Sequence, residues 1–219
     1  MKNRLAYSFG IATTAVVLLN AISWQAWDGA SVAAAESDSD TGRAGNWRKS
    51  AQGAPDLEKS KERAKAEPNN AEAQNDYGWA LRQNGDVEKA EVYLEKAKKL
   101  NPALAYVHSN LSVVLLDKGR SADSLNEAKE AVKADDKQPI YRVVYGNALL
   151  ASGNAKEAIE QYRVATKLKP DYENAFYNLG RAFNQDGQRM EALAALSNAL
   201  KLDKDDDRVI KLMDELMQR

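Results

Sequence analysis

The sequence predicts an all-α fold, a superhelical solenoid of four helix–turn–helix repeats plus a C-terminal capping helix. Three observations predict it. Pro68, Pro102 and Pro170 lie on one 34-residue register, and Asp136 and Lys204 fill its two remaining steps. That period is the length of one helical hairpin in a stacked-repeat protein. Gly85, Gly119, Gly153 and Gly187 recur on the same period, where a left-handed residue ends a first helix and turns the chain into a second. Within each unit, small residues stand where two helices approach and larger ones fill the space between them.

Composition narrows the function classes. The 219 residues carry 31 Lys and Arg against 32 Asp and Glu, with a single histidine. There is no basic field to attract nucleic acid, which is set aside as a partner. Cysteine is absent, which removes disulfides, thiolate metal sites, a cysteine nucleophile and a lipid-modified N-terminal cysteine.

Residues 1–35 are expected to be an export signal. Lys2 and Arg4 give it a positive start, residues 5–22 are apolar, and Ser31, Val32, Ala33, Ala34 and Ala35 form the small-residue run of a cleavage site. The competing reading is an uncleaved membrane anchor, since 5–27 is 23 residues and Trp24 and Trp27 could sit at the interface. Ser8, Thr13, Thr14, Asn20, Ser23 and Gln25 dilute that stretch, and its densest part, 11–22, has signal length. Either reading places the rest outside the cytoplasm. It is periplasmic or secreted in the first case, and anchored at an inner membrane facing the periplasm in the second.

Residues 36–54 are rich in Ser, Gly, Asp and Ala around a lone Trp47. They cannot bury enough apolar area to offset their ordering entropy, so a flexible linker is expected. Residues 55–67 are expected to form an N-terminal cap helix that stops before Pro68. Four units follow, at 71–104, 105–138, 139–172 and 173–206, and a capping helix over 207–219. In that last helix Val209, Leu212, Met213 and Leu216 form an apolar stripe.

The first unit carries Tyr77, Gly78, Leu81, Gly85, Ala90, Leu94, Ala97 and Pro102 at positions 7 to 32 of the pattern's own spacing, and the third carries Tyr145, Gly146, Leu149, Gly153, Ala158, Tyr162, Ala165 and Pro170. The fourth has Leu179, Gly180, Phe183, Gly187, Ala192, Leu196 and Ala199. These residues resemble the tetratricopeptide repeat, and the resemblance covers most of the chain from residue 71 onward. It implies a right-handed superhelix. The second unit departs from the pattern with Ser112, Ser124, Ala128 and Asp136, so looser packing is expected there.

The resemblance also implies that the first helix of each unit lines a concave groove. Its residues are then Trp79, Tyr106, Val113, Leu116, Ile140, Val143, Asn147, Leu150, Asn174, Tyr177, Asn178 and Arg181, continued by Arg208 from the cap. Val113, Leu116, Ile140, Val143 and Leu150 would make an exposed apolar centre flanked by Trp79, Tyr106 and Tyr177, the kind of surface that binds partners. The competing reading packs these side chains inside a tightly curved solenoid or a dimer. A clamp for a C-terminal carboxylate, as a subset of the family has, is not expected, because Asn75, Ile140 and Val144 stand where its cations belong.

No catalytic constellation is expected. His108 falls at a packing position without a metal-spaced partner. Asp203, Asp205, Asp206 and Asp207 lack the Gly and Glu spacing of a calcium loop and suit helix capping. The expectation is a non-enzymatic adaptor for a protein or peptide partner in bacterial envelope or surface-structure assembly. It would have no cofactor, metal, nucleic acid or small-molecule substrate, and would touch membrane only through an uncleaved N-terminus. A structural protein that dimerises or stacks through the same apolar residues is the competing reading.

Overall fold

The computed structural model describes residues 56–218, so the expected leader and linker, with Trp47, lie outside the described residues. Among the described residues there are ten helices and no strand. Helix α1 (Leu57–Ala66) precedes four pairs: α2 (Ala71–Gln83) with α3 (Val87–Leu100), α4 (Ala105–Asp117) with α5 (Ser121–Ala134), α6 (Pro139–Ala151) with α7 (Ala155–Leu168), and α8 (Glu173–Gln185) with α9 (Arg189–Leu202). Helix α10 (Asp207–Met217) follows the last pair.

Each turn between paired helices is built the same way. Gly85, Gly119, Gly153 and Gly187 have φ between 72° and 83°, a region that costs a Cβ-bearing residue about 1 kcal/mol or more. The residue after each glycine then donates its N–H back to a first-helix carbonyl: Asp86 to Leu81, Arg120 to Leu115, Asn154 to Leu149 and Gln188 to Phe183, at 2.9–3.0 Å. That closure satisfies carbonyls the helix end would leave bare.

Between units the same side-chain turn occurs with and without proline: before Pro102, Asn101 Oδ1 accepts from the Ala103 N–H at 3.1 Å. Where Asp136 and Lys204 replace proline, the preceding aspartate bridges the loop: Asp135 Oδ1 accepts from the Lys137 N–H and Asp203 Oδ1 from the Asp205 N–H, each at 3.1 Å. Such side-chain turns mimic a backbone turn. Asp206 caps α10 by accepting from the Arg208 N–H at 2.8 Å. Two of the four clustered aspartates therefore have local structural work. Among the described residues no three metal-ligating side chains converge.

Inside each hairpin one contact sets the spacing. A Cβ on Gly78 would lie 2.9 Å from Leu94 Cγ, one on Gly146 2.5 Å from Tyr162 Cε1, and one on Gly180 2.6 Å from Leu196 Cγ. The second unit reverses the arrangement. Ser112 stands where the others have glycine, and Ala128 stands where they have Leu or Tyr. The looser packing expected there is not found. Ser112 and Ser124 share a 2.8 Å hydroxyl hydrogen bond, and Ser112, Ser124 and Ala128 are fully buried. A larger residue on one helix is matched by a smaller one on the other.

The first helices, α2, α4, α6 and α8, touch one another from unit to unit, most closely at α4 and α6, while the second helices pack mainly against their pair partner and the next first helix. The first helices therefore form the inner row and the second helices splay outward. Burial follows that geometry: ten residues of α4 are buried and only three of α5.

Two substitutions test this account. Ser112→Ala strands the buried Ser124 hydroxyl and is expected to cost about 1–3 kcal/mol in urea unfolding, whereas the double Ser112→Ala, Ser124→Ala variant costs less than either single change. Gly146→Ala gains about 1 kcal/mol in helix propensity but drives a methyl into the buried Tyr162 ring, an overpacking that costs up to about 3 kcal/mol. A net loss of stability is expected, and a stabilised Gly146→Ala protein would contradict the close approach.

Candidate functional site

The inner row is the face the sequence nominated, and it differs from the expectation in one respect. Trp79, Tyr106, Val113, Leu116, Ile140, Val143 and Leu150 are all buried, none more than 7% exposed. The expected open apolar centre is corrected accordingly. Because α4 lies against α6 and its neighbours, side chains at these positions fill the seams between successive first helices. Asn147, Asn174 and Asn178 are buried as well, whereas Tyr177, Arg181 and Arg208 keep partial exposure.

A ladder of polar contacts joins the first unit to the second, the third to the fourth and the fourth to the cap along this row. Asn110 Nδ2 donates to Asn75 Oδ1 at 2.9 Å, and Arg82 Nε to Asp117 Oδ2 at 2.7 Å, with the guanidinium 4.9 Å above the Trp79 ring. At the far end Gln185 Nε2 donates to the Leu150 carbonyl at 3.4 Å, and Arg208 Nη2 to Asn174 Oδ1 at 3.3 Å. Partners in this ladder are 34 or 35 residues apart. Matched polar residues at that separation were a signal in the sequence that reading single positions overlooked.

The C-terminal end of the row gathers charge around one aromatic ring. Tyr177 has Arg208 5.0 Å from its ring centre and Arg181 5.8 Å away, both within cation–π range. Arg181 Nη1 donates to Asn178 Oδ1 at 3.0 Å and forms no ion pair among the described residues. Arg208 is engaged by Asp206 at 2.7 Å and Glu173 at 3.5 Å. Burial, and then the neighbouring Asp206 carboxylate, push Glu173 up to about 7.

Several buried polar atoms on the inner row lack a partner: Trp79 Nε1, Gln83 Oε1, Tyr106 Oη and Asn147 Nδ2. Asn147 is held in place by Tyr162, whose hydroxyl donates to its Oδ1 at 2.7 Å, so the amide N–H groups are left without an acceptor. His108, by contrast, is engaged at both ring nitrogens by Glu127 and the Pro102 carbonyl. That arrangement agrees with the packing role expected for it.

Paired helices on a 34-residue period, αL glycine turns and an inner row of first helices define a helical-hairpin repeat solenoid. Models of the tetratricopeptide repeat match residues 71–104 and residues 146–187. These two stretches are tetratricopeptide repeats, and the chain is a tetratricopeptide-repeat protein in that sense. It is 33% identical over 118 residues to small glutamine-rich tetratricopeptide repeat-containing protein 2 of Mycosarcoma maydis, a match covering 54% of this chain and 30% of that protein. It is 26% identical over 144 residues to the type IV pilus assembly protein PilF of Pseudomonas aeruginosa, covering 65% and 57%. The chain thus spans less than two thirds of the length of either curated relative. The solved structure of Pseudomonas aeruginosa PilF superposes with a TM-score of 0.63 at 25% identity, over 68% of each chain. YrrB, described as a TPR protein with an unusual peptide-binding site, superposes with a TM-score of 0.60 at 22% identity, over 72% of this chain and 81% of that one. Among the described residues no helix is long and apolar enough to cross a membrane.

The Glu173 environment makes a pH prediction. Its folded pKa stands near 7, above the roughly 4.3 of an unfolded glutamate. The stability it contributes is therefore fully present below about pH 4.3 and lost as pH rises through about 7. Glu173→Gln is expected to flatten the pH–stability curve between pH 4 and 8 and to raise the urea midpoint at pH 8. Curves for the two proteins that run parallel across this range would contradict it.

Proposed function

We propose that this protein is a non-catalytic adaptor that binds a segment of a partner protein along the inner row, in the assembly of a bacterial envelope or surface structure. One observation carries the binding reading. Trp79 Nε1, Tyr106 Oη and Asn147 Nδ2 are buried, unpartnered, and placed on the inner helices of three successive units. Folded proteins leave few such groups, and each asks for an explanation. A segment laid along the row would offer a carbonyl to each of these groups as its side chain turns outward, entering at the part-exposed Tyr177 and Arg181.

Because the apolar seam residues are buried, the affinity in this reading comes from polar pairing and the exposed aromatic and guanidinium surfaces. The alternative of self-assembly through Val113, Leu116, Ile140, Val143 and Leu150 loses the surface it relied on, since these side chains already pack within one chain. Similarity to a type IV pilus assembly protein and the signal-like residues 1–35 support the envelope setting. The hairpin repeats themselves support an interaction role over a catalytic one.

The test is a peptide selected by the full chain from a displayed library of short random peptides. Tyr177→Ala and Arg181→Glu are each expected to weaken its binding about tenfold or more, roughly 1.4 kcal/mol. Val92→Glu, on the outer row, is expected to leave binding unchanged. Equal binding by all three variants would overturn the inner row as the binding face.

A further inference from the structure

His108 is the chain's single histidine, and it sits where three elements meet. Its ring belongs to α4. Nδ1 lies 2.7 Å from Glu127 Oε2 on α5, and Nε2 lies 2.8 Å from the carbonyl oxygen of Pro102, in the loop that leads from α3. Lys98 on α3 completes the group, donating to Glu127 Oε1 and to Glu95 Oε1, each at 2.9 Å.

Both atoms facing the ring are acceptors that carry no proton. A neutral imidazole has one N–H and can donate once, whereas the imidazolium donates twice. The two bonds therefore coexist only when His108 is protonated. The surrounding charges agree: Lys98 and His108 as cations balance Glu95 and Glu127 as anions, and loss of the ring proton leaves one negative charge in excess. The bond from Glu127 raises the pKa of His108 against the opposing effect of burial. Burial likewise opposes ionisation of Glu127, but its bonds to His108 and Lys98 outweigh that and hold its pKa below the usual carboxylate range.

The repeats supply an internal control. The equivalent place in the first unit is Gln74, whose Nε2 reaches the Ala64 and Glu67 carbonyls at 2.8 and 3.2 Å. In the third unit it is Arg142, whose Nη1 donates to Gln161 on α7 at 3.1 Å and whose Nη2 approaches the Asp136 carbonyl at 3.5 Å. Glu127 and Gln161 lie 34 residues apart, so they hold the same place in their units. In the first three units this address stitches the unit to the segment before it, and in the fourth Phe176 stands there. The donor is an amide in the first unit and a guanidinium in the third, and neither titrates in the physiological range. Only the second unit uses a group that does.

We propose that His108 is a proton-controlled staple that holds the first unit to the second and releases one of its two bonds when it deprotonates. The stability it contributes is present below about pH 6.5, the unfolded value, and is lost as pH rises through the higher folded value. The same junction carries the Arg82–Asp117 and Asn75–Asn110 rungs of the inner row. Its loosening reaches the N-terminal third of that row and leaves the later units stacked. This inference does not depend on the row binding a peptide.

The test is backbone hydrogen exchange on the full chain from pH 5.5 to 8.5, corrected for intrinsic exchange, alongside NMR titration of the one histidine. Exchange in α2 and α3 is expected to accelerate about tenfold relative to α8 and α9, with the midpoint of the histidine titration, itself above 6.5. His108→Arg supplies a permanent donor, as Arg142 does, and is expected to remove the pH dependence. Should that variant fail to fold, Glu127→Gln is expected to shift both midpoints downward together. Exchange in α2 and α3 that ignores pH, or that follows pH equally in His108→Arg, would overturn the proposal, as would a histidine titrating below 6.5.

Discussion

The structure depends on how closely the two helices of each unit approach. At one place in the first helix a glycine admits the side chain of Leu94, Tyr162 or Leu196 directly over the backbone. In the second unit Ser112 occupies that place and Ala128 yields the room, with the two serine hydroxyls paired across the gap. What is kept is the combined volume of the pair, not the residue at either position. Flanking alanines such as Ala97, Ala131, Ala165 and Ala199 are fully buried along the same line. An interior packed at crystal density cannot absorb an extra methyl there. The four hairpins therefore share one helix spacing, and hairpins of matched spacing stack with a repeating offset into a solenoid.

That offset decides what the inner row can be. Helices α4 and α6 approach most closely, and the seam between them takes Val113, Val143 and Ile140 out of solvent. Toward the two ends the contacts between first helices become polar, through Arg82 and Asp117 at one and Gln185, Asn174 and Arg208 at the other. The middle of the row is held by apolar burial, which is non-directional and tolerates no water. The ends are held by hydrogen bonds that a ligand's own groups can match or replace. Chemistry available to a partner is thereby concentrated away from the apolar centre.

Much of this was legible in the sequence, and the limits have a physical cause. The glycine at the turn must take a positive φ, so its 34-residue recurrence marks every hairpin, and the small residues at the helix contact follow from sterics within one unit. The Asp135 and Asp203 turns could also have been read, since an aspartate precedes each missing proline. Exposure of Val113 or Leu150 could not. Register within a helix says which residues face inward, but whether the inward face is open depends on the distance between units. Two apolar residues 30 positions apart carry no mark of that distance. The polar rungs of the ladder were more accessible, because Arg82 and Asp117 are complementary and 35 residues apart.

The stitching address at Gln74, His108 and Arg142 shows how a repeat protein can differ from unit to unit without changing its fold. Each donor binds the segment before it, and two of them also reach the second helix of their own unit. In a linear array stability is close to a sum of unit terms and nearest-neighbour terms. A change at one address therefore alters one interface and leaves the others standing, whereas in a globular core it would spread through shared contacts. The histidine lies at the interface between the first and second units, so only α1 and the first hairpin lie on its N-terminal side. A titratable donor at Arg142 would divide the array in half, through the seam of α4 and α6 where the apolar burial is deepest. The position of His108 confines the effect of a single proton to the first hairpin and α1, and leaves the later units stacked.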